Sequence, residues 1–347
     1  MRHNLTGVFL TASIFIVFSF PTHGQIKYNA NAESGFFRSS GLGNKNDGDV
    51  LISLDGLIGY QFQENKRSAS VQLRARPELY GLNNNLRSLK FKALAWYYQQ
   101  EKEFNWGINL DRQLFDFKSD NIDVSYNQFI LSGNVSTFLT RDMPVVADIG
   151  YSFQKVSSTQ IQKLDMTFVD ARAYDLINTF LKFGYGFYAE RFFLTGTVYS
   201  LQAGQPNYEA ENNGWRIGPH ISINYLKDFV INFDYRFLIH NSQYTSYPSI
   251  ENWLRLVAGK ILSEKWSAFV LTDYYFRNFR TKGIAADNQG LLYTSTNFEN
   301  RIYLKLGYDI ADNIELYIKS GYFDENISVD KYSFEGLDIS LGIEIGN

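Results

Sequence analysis

Residues Trp215–His240 read WRIGPHISINYLKDFVINFDYRFLIH. Trp215, Ile217, Pro219, Ile221, Ile223 and Tyr225 take every second position of the first half, and Phe229, Ile231, Phe233, Tyr235, Phe237 and Ile239 do the same in the second. Between them stand Arg216, Gly218, His220, Ser222 and Asn224, then Asn232, Asp234, Arg236 and His240. Successive side chains of a strand point to opposite faces, so a period of two gives one apolar face and one polar face. Only Leu226-Lys227-Asp228 separates the halves. The stretch predicts a long antiparallel hairpin that reverses about Lys227.

The rest of the chain repeats this pattern. Alternation marks about sixteen strand-length segments: roughly 27–37, 49–62, 68–77, 87–99, 103–114, 122–139, 145–156, 173–187, 191–203, 215–226, 229–241, 252–262, 266–278, 296–310, 314–323 and 334–346. It slips in 27–37 and 122–139, so fourteen strands also fit. Short connections fall near Glu64–Arg67, Gln100–Lys102, Thr140–Pro144, Tyr188–Glu190, Leu226–Asp228, Leu262–Lys265 and Ala311–Asn313. Longer polar ones lie between them, notably Ser157–Arg172, Ala203–Gly214, Phe279–Ser295 and Phe323–Ser333. One rim of the sheet therefore carries tight turns and the other carries loops. A soluble sandwich also alternates, but its strands run to about five or six residues. Segments of about 11–14 residues match tilted strands that cross a bilayer. Aromatics beside the short turns, such as Tyr97 with Trp106 and Tyr225 with Phe229, fit an interfacial girdle.

The first residues read as a leader. Arg2 and His3 precede an apolar run, Val8–Phe20, and Thr22 and Gly24 are small residues placed for cleavage before Gln25. Residues 1–24 are thus expected to be a signal peptide and 25–347 a single domain. Without the leader, 32 basic residues face 36 acidic ones, a near balance that gives no sign of nucleic-acid binding. The chain has no cysteine, so neither disulfides nor thiolate metal sites contribute. Only His220 and His240 remain after the leader, which argues against a dedicated transition-metal site, and no phosphate-cradling loop precedes a helix. No cofactor is expected.

Alternation, strand length and connection pattern together resemble the Gram-negative outer-membrane β-barrels of porin size, over nearly all of Gln25–Asn347. The resemblance implies an all-β, transmembrane, antiparallel up-and-down barrel, integral to the outer membrane. It implies periplasmic short turns and termini, external loops, and contact with outer-membrane lipid and lipopolysaccharide. Delivery would be by the outer-membrane assembly machinery. Two features depart from that family: Gly346-Asn347 follows Ile345 where an aromatic usually ends the last strand, and the third external connection, about Phe115–Asn121, is short.

If the apolar set faces lipid, the other set lines the lumen. A face so charged calls for water or a polar plug, and sixteen strands are wide enough for an aqueous channel. Arg74, Arg76, Lys90, Lys92, Arg216, Arg236, Arg255, Arg277 and Arg301 fall in the outer half of that lumen. A ring of cations favours anions. Pairing with lumenal acids such as Asp55, Asp111 and Asp273 would instead give neutral ladders. The leading expectation is a porin-like passive channel for small polar solutes, with anions as a candidate class. A second reading starts from the hairpin, where reversal about Lys227 sets His220 opposite Asp234, with Ser222 two residues along. Asp, His and Ser could supply orienter, base and nucleophile, and the His-x-Ser spacing resembles that of the outer-membrane phospholipase and lipid A deacylase families. Those families work from the lipid side, whereas His220 and Ser222 fall on the polar face. A third reading is a non-conducting barrel whose loops bind a surface partner.

Overall fold

The computed structural model describes residues 24–40, 48–80, 86–118, 123–140, 143–157, 161–178, 180–198, 207–245, 248–278, 299–326 and 333–346. The expected leader lies almost wholly outside them. Sixteen strands fill them: β1 Gly24–Ser40, β2 Gly48–Glu64, β3 Arg67–Tyr80, β4 Leu86–Gln100, β5 Phe104–Lys118, β6 Asp123–Thr140, β7 Met143–Ser157, β8 Ile161–Leu176, β9 Leu181–Val198, β10 Tyr208–Leu226, β11 Val230–Ser242, β12 Ser249–Ile261, β13 Trp266–Asn278, β14 Glu299–Ala311, β15 Ile314–Asn326 and β16 Ser333–Gly346. Each is antiparallel to its neighbours in sequence, and β1 pairs with β16, Asn29 opposite Gly346 through Ser40 opposite Glu335. The sheet therefore closes. Closure leaves no unpaired edge, the condition for a sheet to sit in lipid.

Register carries one parity around the whole ring. Ile58, Leu304 and Leu341 point outward and are 58, 57 and 65% exposed. Their neighbours Gly59, Lys305 and Ser340 point inward, on the side where Lys305 meets Glu315 and Glu344. An apolar surface this continuous belongs against acyl chains, not water. On β9 the outward set Leu181, Phe183, Tyr185, Phe187 and Ala189 spans about 20 Å of barrel height at ordinary rise and tilt. At the short-turn rim, aromatic pairs close adjacent strands: Tyr97 with Trp106 at 5.5 Å between ring centroids, Tyr225 with Phe229 at 4.5 Å, and Trp266 with Tyr308 at 4.9 Å.

Three expectations are corrected by the observed strands. Ser157–Arg172 is not a loop and Tyr188–Glu190 is not a turn, because β8 fills 161–176 and β9 runs unbroken from 181 to 198. In the loop half of this hairpin the alternation blurs, since the outward face mixes polar residues with Ile161 and Phe193, which are 43 and 40% exposed. Leu164, Phe192 and Leu194 point inward and are buried, while Lys163, Asp165, Thr167 and Arg191 point outward. A rule that reads polar runs as loops fails where the outward face leaves the hydrocarbon layer. The β10–β11 hairpin also reverses about Asp228, not Lys227, so that His220 stands opposite Arg236 and Ser222 opposite Asp234.

Candidate functional site: the lumen

The inward set holds two arcs of paired charge. In the first, β10 supplies His220, whose side chain is fully buried. Its Nδ1 lies 2.8 Å from Asp170 on β8, and its Nε2 lies 2.9 Å from Asp234 on β11. The residue between His220 and β8 is Gly186 of β9, which places no side chain in the way. Asp170 also accepts from Arg236 at 3.2 Å, while Arg172 reaches Asp148 at 3.5 Å. One step nearer the loops, Arg216 donates from Nε to Glu190 at 2.6 Å and from Nη1 to Glu251 at 2.7 Å. Glu251 also accepts the Tyr275 hydroxyl, and its Oε1 lies 2.7 Å from Nδ1 of His240. Both carboxylates are fully buried, so their charges are held by partners and not by solvent.

The second arc runs from β13 through β16 and β1 to β4. Arg74 pairs with Asp55, Arg76 lies 2.7 Å from Glu78, and Lys90 lies 3.4 Å from the same carboxylate. Lys92 pairs with Asp111 at 2.8 Å. Across β16, Lys319 reaches Glu33, and Lys305 reaches Glu315 at 2.6 Å and Glu344 at 3.0 Å. These groups surround a cavity of about 250 Å³ that Arg74, Arg76, Lys90, Arg301, Lys305 and Lys319 line together with Glu33, Asp55, Glu78 and Asp338.

Toward the loops the lumen turns apolar. Leu51, Phe117, Val124, Tyr126, Val156 and Phe323 form one buried cluster, with Phe115 and Tyr303 packed on it. It draws together β15 and β7, which stand on opposite sides of the ring. Leu164, Phe192, Leu194, Val198 and Ala210 form a second on β8–β10. The lumen is thus narrower than sixteen strands alone imply, because side chains occupy much of its loop half.

Of the nine cations expected in the outer lumen, seven stand in ion pairs: Arg74, Arg76, Lys90, Lys92, Arg216, Arg236 and Arg255, the last with Asp273 at 2.9 Å. Arg301 lines the cavity. Arg277 lies opposite Glu251 in register, and its side chain is outside the described residues. The hydrolase trio is only partly assembled. His220 meets Asp234, but no hydrogen bond joins Ser222 to His220 among the described residues. Both ring nitrogens already face carboxylates, which only accept when ionised, so neither is directed at Ser222 as a base. Sequence reasoning missed the buried partners Glu33, Glu78, Asp170, Glu190 and Glu251. Inward parity was their one signal, and for Asp170 and Glu190 the misread of β8 and β9 hid it.

Closure, strand number, alternating connections and the apolar wall decide the class. The chain is a transmembrane β-barrel of porin size. No family model matches it, and no curated protein does. Among solved structures it is similar to Pseudomonas putida OprB, at 10% identity over 94% of each chain with a TM-score of 0.46. It is also similar to the Ralstonia pickettii toluene transporter TbuX, at 8% identity over 94% of this chain and 90% of that one, with a TM-score of 0.37. Acinetobacter baumannii OccAB4 aligns at 8% identity over 94% and 98%, with a TM-score of 0.39. At these values the likeness carries neither solute nor chemistry across. Among the described residues no group of three or more His, Cys, Asp or Glu side chains is placed to hold a metal ion.

Proposed function

We propose that this chain is an outer-membrane channel for small polar solutes and not an enzyme. The observation that carries the reading is the charged cavity on the β13–β4 arc, about 250 Å³ in volume, inside a wall whose outer face is apolar. On this arc Arg74 and Lys92 are 51 and 43% exposed, so water or a polar solute can reach them, unlike the sealed Arg216–Glu251 cluster. Arg74, Arg76, Lys90 and Lys92 each already hold a carboxylate, so their fields are short-ranged. That supports a polar lane in preference to a strong anion filter. Nothing in the placement of Ser222 favours the hydrolase, since His220 is committed to Asp170 and Asp234. In this reading the leader is cleaved, the assembly machinery folds the barrel, and the short turns face the periplasm.

The test is a planar-bilayer recording of the purified protein. Discrete conductance steps are expected, and they should become smaller when neutral polymers small enough to enter the lane are added. Silence from correctly folded protein overturns the channel. If conductance appears, replacing Arg74, Arg76, Lys90 and Lys92 together by Gln should change anion-over-cation permeability little. A large loss of anion preference would restore the filter reading.

A further inference from the structure

The cavity of the second arc is rich in charge and balanced in sign. Arg74, Arg76, Lys90, Arg301, Lys305 and Lys319 line it, and so do the carboxylates of Glu33, Asp55, Glu78 and Asp338. Glu315 and Glu344 hold Lys305. Six formal positive charges thus meet six negative ones. In the Arg74–Asp55 and Arg76–Glu78 pairs the guanidinium is the more exposed partner, so a solute meets N–H donors first. Asp338 differs from the other acids. It is 2% exposed, its Oδ2 stands 3.8 Å from Lys319, and its Oδ1 is buried without a hydrogen-bond partner among the described residues. A buried acceptor left unmatched costs free energy until a donor meets it.

Part of the lining is apolar. Leu51, Leu271 and Phe323 contribute to it, and Leu51 and Phe323 also belong to the buried cluster on the loop side. The volume of about 250 Å³ equals that of about eight waters at liquid density, room for one six-membered ring and its substituents. An inorganic ion of either sign finds most of its partners here already neutralised. A lysine or arginine only donates and an ionised carboxylate only accepts, whereas a hydroxyl does both. A solute with several hydroxyls therefore satisfies neighbouring donors and acceptors without displacing an ion pair. The C–H bonds of its ring suit the apolar part of the wall.

We propose that this cavity is a binding subsite for a neutral, polyhydroxylated solute the size of a monosaccharide. Its hydroxyls accept from Arg74 and Arg76, one of them donates to Asp338, and its C–H face lies against Leu51 and Phe323. The inference rests on the channel reading and deepens it by naming the solute class. Equal numbers of donor-only and acceptor-only groups are what such a solute needs and what a carrier of ions does not.

The experiment is a saturation-transfer NMR titration of the full barrel in a detergent without a sugar head group, so that binding is read without conduction. The neutral probes are D-glucose, D-galactose and myo-inositol, and D-gluconate adds a carboxylate to a similar set of hydroxyls. Saturable transfer to at least one neutral probe is expected, with gluconate bound more weakly. Asp338→Asn, which keeps the volume and removes an ionised acceptor, should weaken that probe about tenfold. Asp165→Asn, on the outward face of β8, should leave it unchanged. No saturable transfer to any of the three neutral probes overturns the proposal, as does gluconate binding tighter than all of them, or full binding by Asp338→Asn. If Asp338→Asn does not fold, Leu271→Trp serves, since it fills the cavity without removing a charge, and unaltered binding there has the same meaning. Conductance without binding would remove the subsite and keep the channel, whereas binding by a barrel that stays silent in the bilayer would keep the subsite and remove the channel.

Discussion

Glu251 meets Arg216, Tyr275 and His240 in a fully buried setting. Removing one partner of a buried ion pair leaves the other charge uncompensated, whereas an exposed pair contributes little. Glu251→Ala should therefore cost about 3–5 kcal/mol. Arg74→Gln, whose guanidinium is half exposed, should cost about 1 kcal/mol or less. Urea unfolding of the barrel in lipid vesicles would compare them, and equal costs would show that the lumen is wetter than the structure has it. At the same scale, Ser222→Ala should leave conductance unaltered. Neither the wild type nor this variant should release fatty acid from ester-linked lipid. Release by the wild type that disappears in the variant would replace the channel with a hydrolase.

Within an element, alternate residues meet different solvents. Leu341 of β16 points into lipid, and Leu341→Arg should cost about 2–4 kcal/mol if it lies near the bilayer midplane. Asn232 of β11 points inward and is exposed, so Asn232→Arg should fold nearly as well as wild type. Yield of the compact, heat-modifiable form on cold gels compares the two, and similar losses would mean the faces are wrongly assigned. Inward position alone is no licence for substitution, since Ser340 also points inward but is 1% exposed beside the Lys319–Glu33 pair. Gly186 sets a stricter limit. Its missing side chain is what lets His220 reach Asp170 over β9, and an added Cβ would strike the carbonyl of Ala171. Gly186→Val should lower the temperature at which the compact form is lost, and an unchanged temperature would mean the strands spread to admit it.

The barrel has one rim of tight turns, where β1 begins and β16 ends, and one rim from which the longer connections leave. A cysteine placed at Gln243, between β11 and β12, should react with an impermeant thiol reagent on intact cells. One at Asp312, between β14 and β15, should react only after the outer membrane is opened. Labelling of Asp312→Cys alone on intact cells would invert the barrel.

The strand count, the faces and the two kinds of rim were legible in the sequence. Period-two alternation is a local property that lipid on one side and water on the other impose on each strand separately. Residues such as Ile231, Phe233 and Tyr235 carry it without reference to any partner. Alternation lost its meaning in β8 and the loop half of β9, where the outward face meets head groups and the inward face meets Phe192 and Leu194. Tertiary structure alone decided the charge pairing. Asp170 lies 50 residues from His220, and Glu33 lies 286 from Lys319, so only ring closure and register bring them together. A shift of two residues in one hairpin changed which residue His220 faces. The same closure decided that the lumen is narrowed by side chains, because its width depends on how inward residues from distant strands fill a common space.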